Sequence, residues 1–171
     1  MKHLRRILIL SLAVLTVLSL FSACGEKLRD DLTSEQIMEK VLAAIPTEKG
    51  YIKEESFLES DWGENAQTLL DGVSDRHIVI SGDSANNVDE VGIFHVKDSA
   101  KTEELKAIVQ AYVDGRVLRF RDLLAGYNPQ ELPKLDEAKV EVRGNYIYYS
   151  ILSEYATAKA LTAFENALKA D

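Results

Sequence analysis

The chain has 171 residues, of which 46% are hydrophobic and 28% are charged, with three prolines and a single cysteine. One globular domain accounts for this length, and the apolar fraction excludes a disordered acidic tail. Beyond residue 23 the chain carries 17 basic and 28 acidic residues, a formal charge of −11. This charge disfavours nucleic acid as a partner, and the lone cysteine excludes a disulfide framework.

The N-terminus has the pattern of an export signal. A basic segment at residues 1–6 precedes an uncharged stretch at residues 7–23, whose leucine-rich core suits insertion into a membrane. We therefore predict that residues 1–23 are a signal peptide. An uncleaved N-terminal anchor is the main alternative, because the uncharged stretch approaches the roughly 20 residues of a spanning helix.

The junction after this stretch resembles the lipobox of bacterial lipoproteins. Ser22, Ala23 and Cys24 match that motif, whereas Phe21 stands where leucine is usual. In such proteins the cysteine thiol carries a diacylglyceryl group and the cysteine becomes the first residue after cleavage. We predict lipidation at Cys24 and a protein held by this lipid at the extracytoplasmic face of the cell membrane. Secretion without lipid is the other alternative.

The exported part is predicted to consist of a tether and one domain. Residues 24–32 comprise the lipidated cysteine and a short acidic tether, and residues 33–171 form the domain. Thr33 and Gln36 predict a capping box at the start of the first helix, which ends before Pro46.

Two units of a hairpin followed by a helix are predicted after a mixed region at residues 47–75. β-Branched and aromatic residues predict the strands, and helical spacing of apolar residues predicts the helices. The first hairpin is expected at 76–81 with 90–97, and its helix at 99–125. The second hairpin is expected at 139–143 with 146–152, and its helix at 153–169. The fold class is therefore α+β, with an antiparallel sheet of about four strands and helices covering one face. The repeated order is due either to an internal duplication or to convergence.

Several positions within these elements carry a family resemblance. They are the strand at 91–96, Arg116, Phe120, Tyr127-Asn128-Pro129, Leu135 and Gly144-Asn145-Tyr146. On these positions the chain resembles a family of Gram-positive bacterial lipoproteins catalogued as domain of unknown function 4358, over roughly residues 35–165. The resemblance implies a lipoprotein with an α+β body, and it brings no catalytic residues because none are established for the family.

No metal site and no cofactor are predicted. His77 and His95 fall in the two strands of one hairpin, but zinc needs three or four ligands. Strand alternation turns His95 to the face opposite Phe94, so we expect both histidines to face solvent. The acidic loop at residues 82–90 lacks the ligand spacing of an EF-hand, and we interpret it as a polar hairpin loop.

Arg116 is the one polar residue in an unexpected position. The helical period places it near the middle of the apolar face of the long helix. We expect its stem to pack on the core while its guanidinium meets a carboxylate or helix-end carbonyls. The alternative is that Arg116 lines a pocket and binds an anionic ligand.

Tyr146 and Tyr148 share one face of the last strand, and Tyr149 projects from the other face. Packing beneath a helix, with the hydroxyls reaching its edge, is the first interpretation. A recognition patch is the second, because tyrosine is enriched in interface cores. The candidate binding residues are therefore Arg116, Tyr146 and Tyr148.

The leading functional hypothesis is a non-catalytic, lipid-anchored binding module. The sequence contains no GxSxG elbow, no glycine-rich phosphate loop and no pair of acids with a distinctive spacing. The expected partners are the membrane, through Cys24, and a protein or another envelope component of unknown identity. The alternatives are a small-ligand carrier or small enzyme with a pocket around Arg116, and a structural envelope lipoprotein.

Overall fold

A computed structural model describes residues 27–46, 50–54 and 62–170 of the chain. Their framework is one antiparallel sheet of five strands in the order β1-β2-β3-β5-β4. The predicted signal peptide and Cys24 lie outside the described residues. The strands are β1 (Tyr51–Lys53), β2 (Val73–Ser81), β3 (Glu90–Val96), β4 (Lys139–Arg143) and β5 (Tyr146–Ile151).

In the described part of the chain, five α-helices surround the sheet, and short 3₁₀ turns precede three of them. The α+β prediction is confirmed. The sheet has a fifth strand because β1, from the region whose pattern was mixed, pairs with the edge of β2. The helices are α1 (Ser34–Ala44), α2 (Ala66–Gly72), α3 (Thr102–Tyr127), α4 (Leu132–Asp136) and α5 (Glu154–Ala167).

The capping box predicted for the first helix is present. The Thr33 hydroxyl accepts a hydrogen bond from the Gln36 amide at 3.2 Å, and the Gln36 side chain accepts one from the Thr33 amide at 2.9 Å. Two N–H groups that the first turn would leave unpaired are thereby satisfied, which fixes where α1 begins.

Helices cover both faces of the sheet, rather than one face as expected. Val91 and Ile93 of β3 pack beneath α1 and α5, while Phe94 and Val96 of the same strand pack beneath α2 and α3. Successive residues of a strand point to opposite faces, so the apolar runs of β3 and β5 supply two cores. Strands buried on both faces read as nearly continuous apolar runs, which is the pattern of these two strands.

The two units of hairpin and helix are not copies of one arrangement. β3 and β5 lie side by side and antiparallel, so a duplication would relate the units by a two-fold axis perpendicular to the sheet. A rotation about such an axis leaves each helix on the same face of the sheet, so the helices of two duplicated units would pack on one face. Instead, α3 and α5 pack on opposite faces. The connecting loops also differ, spanning residues 82–89 in one hairpin and 144–145 in the other. These differences support convergence.

The two ends of the sheet are formed by different residues. We call the end formed by Val73, Val96 and Tyr146 the lower end, and the end formed by Ser81, Glu90 and Ile151 the upper end. Helix α1 rises from the lower to the upper end, and α5 descends in the opposite direction. Helix α3 starts at the lower end and, at 26 residues, extends past the upper end of the sheet.

Residues 27–32, which the sequence suggested to be part of a tether, are packed against the lower end. Leu28 forms a bridge with Lys169, and the Arg29 amide donates to the Leu168 carbonyl at 2.8 Å. Leu32 is buried in the core beneath α1. The folded unit therefore includes residues 27–32, ahead of residue 33. Within the described ranges, no helix is both long and apolar enough to cross a bilayer.

Gly92 makes room on β3 for an aromatic side chain of the neighbouring strand β5. It lies opposite Tyr149, and a β-carbon at this position would overlap the Tyr149 ring. The missing side chain leaves room for a buried tyrosine that the neighbouring polar network requires.

We predict that Gly92→Ala lowers the free energy of unfolding by about 3 kcal/mol, because the Tyr149 ring must move in a packed core. Gly115→Ala is the matched control, since Gly115 is exposed in α3 with no atom near its β-carbon position. It should stabilise the protein by up to about 1 kcal/mol through helix propensity. Urea denaturation measures both changes, and equal effects would contradict the prediction.

Candidate functional site

The candidate site is centred on Glu90, a buried carboxylate at the upper end of β3. Its side chain is 1% exposed and accepts three hydrogen bonds. Oε1 accepts from the Tyr112 hydroxyl at 2.5 Å and from the Tyr149 hydroxyl at 2.7 Å, while Oε2 accepts from the Arg116 guanidinium at 2.5 Å. A buried carboxylate is tolerated when its oxygens are satisfied in this way.

Arg116 supplies the positive charge of this network. Its side chain is 20% exposed, and its guanidinium also lies over the Phe120 ring, 4.6 Å from the ring centroid. Burial opposes the charge of the guanidinium, but the Glu90 carboxylate more than offsets that effect, so the pKa of Arg116 is raised. The carboxylate partner expected for Arg116 is thus Glu90, from the neighbouring strand.

The two tyrosines of the network remain neutral donors. Burial raises the pKa of Tyr112 and that of Tyr149, and the negative charge of Glu90 raises both further. Trp62 closes the site from the side, because its ring stacks on Tyr112 at a centroid distance of 3.8 Å. The network therefore contains one anion, one cation and two neutral phenols, all engaged with one another.

The space around Arg116 is small. Two cavities border its side chain, one next to Trp62 and Tyr112 and the other next to Phe120, and each has a volume of about 40 Å³. This volume admits a water molecule or two, whereas ligand pockets typically hold several hundred cubic ångströms. The geometry gives Arg116 a partner within the fold and leaves no room beside it for a metabolite.

A second charged cluster lies at the upper end, on the loop that precedes β3. Lys134 of α4 pairs with Asp89 at 2.7 Å and with Glu131 at 2.8 Å, and all three side chains are largely buried. Burial opposes the charge of Lys134, but hydrogen bonds to Asp89 and Glu131 raise its pKa overall. The ion pair between Lys134 and Asp89 therefore fixes the acidic loop at residues 82–90 to α4. Over residues 27–46, 50–54 and 62–170, no three His, Cys, Asp or Glu side chains are grouped to hold a metal ion.

The histidine geometry differs from the expectation for His95. Its ring is half-buried and stacks on Tyr146, its Nε2 lies 3.0 Å from Asp30, and its Nδ1 lies 3.5 Å from Asp75. The solvent-facing prediction is wrong for His95 because the N-terminal segment, including Asp30, folds over this face of the sheet. His77 is half-buried and lies diagonal to His95, since it pairs with Ile93 in the register.

Tyr146 and Tyr148 lie on the face opposite to the Arg116 network. The Tyr146 hydroxyl donates to the Leu32 carbonyl at 2.7 Å and accepts from the Leu32 amide at 3.2 Å. Burial raises the pKa of Tyr146 to about 12. Tyr148 stacks on Phe164 of α5. Both tyrosines are core residues, and the sheet separates them from Arg116, so the three candidate residues do not line a common pocket.

An open cleft lies at the upper end of the sheet. It has a volume of about 570 Å³ and lies between the end of α1 and the start of α5. Tyr155, whose exposed fraction is 73%, stands at its edge. We call this hollow the upper cleft. Its lining residues include Ile45, Pro46, Tyr51, Asp89, Ser153 and Tyr155.

Sequence reasoning missed Glu90 and Trp62 as site residues. Glu90 was grouped with the acidic loop, although it is separated by two and four residues from Gly92 and Phe94 and so points to the buried α3 face. That alternation was the available indication that Glu90 would be buried, although it could not place Arg116 beside it. Trp62 follows residues with no clear pattern, and only the tertiary fold brings it to Tyr112.

The fold and site define a small α+β domain built around a buried, fully engaged carboxylate. Residues 70–152 match the family model described as Domain of unknown function (DUF4358), which is the family that the resemblance indicated. The matched segment contains Glu90, Arg116 and both tyrosines that donate to Glu90. Neither the curated proteins nor the solved structures give a significant match to this chain.

We predict that Arg116→Ala lowers the free energy of unfolding by about 2 to 4 kcal/mol, because it strands the buried Glu90 carboxylate. Arg121→Ala is the control: Arg121 pairs with Asp136 in a solvent-exposed position, and its loss should cost under about 0.5 kcal/mol. Urea denaturation measures both. The double variant Arg116→Ala with Glu90→Gln should lose less than the sum of the single changes, and additive losses would argue against this pairing.

Proposed function

We propose that the protein is a lipid-anchored extracytoplasmic module that binds a protein or another envelope component and has no catalytic activity. The observation that carries the anchoring part is the junction Ser22-Ala23-Cys24 after 17 uncharged residues. A diacylglyceryl group has two acyl chains, which suffice for stable anchoring without a basic patch. An acidic body is therefore compatible with a position at a membrane.

The closed polar network supports a non-catalytic role. A general base or nucleophile needs access to substrate, and the carboxylate of Glu90 is surrounded by three donors from its own fold. Lys134 is engaged in the same manner by Asp89 and Glu131. The chemically versatile groups of the upper end stabilise the domain, which leaves surface recognition as the activity that the geometry favours.

The upper cleft is the surface we propose for the partner. It combines apolar residues at the C-terminal end of α1 with two tyrosines, Tyr51 and Tyr155, and it is open to solvent. Tyrosine offers both a large apolar ring and a hydroxyl, which suits contacts that form and dissociate in water. A small-ligand carrier is the second candidate, since about 570 Å³ falls within the range of ligand pockets.

Lipidation is tested by mass spectrometry of protein extracted from bacterial membranes. We expect residues 1–23 to be absent and Cys24 to carry two acyl chains as its diacylglyceryl thioether. Cys24→Ser should abolish the modification and release the protein from the membrane fraction. A chain that keeps Met1, or a Cys24→Ser variant that stays fully processed and membrane-bound, would contradict the proposal.

The binding surface is tested by photo-crosslinking in intact cells. A photoreactive amino acid in place of Tyr155 should give a discrete protein adduct, because position 155 borders the upper cleft. The same amino acid in place of Ala107, on the exposed side of α3, is the matched control and should give none. An adduct from position 107 alone would place the partner on α3. A small molecule retained in native mass spectra, without any protein adduct, would favour the carrier.

A further inference from the structure

The N-terminal segment of the folded unit is bound to the lower end of the sheet by several independent contacts. Asp30 accepts a hydrogen bond from the Asn145 side chain at 2.8 Å and pairs with His95 at 3.0 Å. The Lys27 carbonyl accepts from the Ala170 amide at 3.1 Å. Together with the Leu28 bridge and the buried Leu32, these contacts hold residues 27–32 against the domain.

This attachment limits how far the lower end can be from Cys24. Leu28 is the fourth residue after Cys24, and four steps of extended chain reach at most about 14 Å. The upper end lies farther away, because β3 alone has seven residues and spans about 20 Å. A lipid on Cys24 therefore keeps the lower end close to the bilayer, while the upper end lies beyond the distance that this stretch of chain can span.

The distribution of charge favours the same orientation. The segments that form the lower end, including the first turns of α1 and α3, contain seven basic and eight acidic residues; they are 27–36, 71–76, 95–104, 143–145 and 168–170. The rest of the chain after residue 23 contains 10 basic and 20 acidic residues. An anionic bilayer surface thus repels the lower end less than the rest of the domain.

We infer that the lower end is the face that the domain turns toward the phospholipid surface, and that the upper cleft faces away from it. This orientation rests on the lipidation of Cys24 proposed above. It presents the upper cleft to soluble or wall-associated partners, and it places the loop at residues 82–89 and the end of α3 on the outward side.

Site-specific fluorescence on vesicles tests the orientation. An azide-bearing amino acid replaces Ala100 or Ala170 at the lower end, or Ala85 or Ala125 at the upper end, and a dye is coupled to it. All four alanines are exposed, so the labels should leave the core intact. The azide leaves Cys24 available for lipid. The vesicles consist of phosphatidylcholine with some phosphatidylglycerol and a small fraction of a lipid that carries a nitroxide quencher on its headgroup.

Each variant is measured in two forms. One form is the full protein purified from bacterial membranes, and mass spectrometry determines separately whether its Cys24 carries lipid. The other begins at Cys24, contains the whole described fold, and is coupled through the Cys24 thiol to a maleimide lipid. The second form tests the orientation even if cells do not lipidate the protein.

Dyes at the lower end should be quenched several-fold more strongly than dyes at the upper end. Equal quenching at both ends, or stronger quenching at the upper end, would overturn the inference. An unmodified Cys24 in the purified protein, with lower-end quenching still dominant in the coupled form, would refute the proposed lipidation while supporting the orientation imposed by residues 27–32.

Discussion

The charge of Glu90 is the constraint around which the upper half of the domain is organised. A carboxylate that is 1% exposed requires donors, and these come from β5 through Tyr149 and from α3 through Tyr112 and Arg116. The network therefore holds the central strand pair and the long helix together. Gly92 allows Tyr149 to approach, and Trp62 covers Tyr112 from the side. Removing a partner from such a site leaves a buried charge without compensation, which is why its geometry is so closely determined.

The lower end is organised by the N-terminal segment and by hydrogen bonds that involve its backbone. The Tyr146 hydroxyl bonds to both backbone groups of Leu32, and Asp75 accepts from the Ser34 amide at 2.7 Å, where α1 begins. An acid at this position is favourable because the first amides of a helix lack partners within the helix. The two ends thus differ in character. The upper end is a charged cluster covered by aromatic rings, and the lower end is where residues 27–32 are bound to the sheet.

This division bears on function. The charged residues Glu90, Arg116 and Lys134 are paired within the upper end, while the upper cleft beside them is lined mainly by alanines, tyrosines, an isoleucine and a proline, together with Asp89 and Ser153. The family match covers the central strands and α3 but not α1 or α5, so the upper cleft is built largely from elements outside the matched segment.

Local patterns were enough to identify most elements, because capping, helical period and strand alternation are properties of neighbouring residues. Thr33 with Gln36 indicated the start of α1, Gly144-Asn145 indicated the second hairpin turn, and Arg116 was recognised as a residue that needed a partner. The partner itself is 26 positions away in the chain, so no local pattern could name Glu90. The burial of His95 was missed for the same reason, since Asp30 reaches it from 65 positions away. Strand alternation separated Tyr146 and Tyr148 from Tyr149, but which helix covers each face depends on the path of the chain between elements. The sequence by itself thus determined the α+β class, most of the helices and strands, and which residues needed burial or a partner. Only the tertiary structure decided which faces are covered, which charges meet and which end of the sheet holds the N-terminal segment, because those outcomes depend on contacts between residues far apart in the chain.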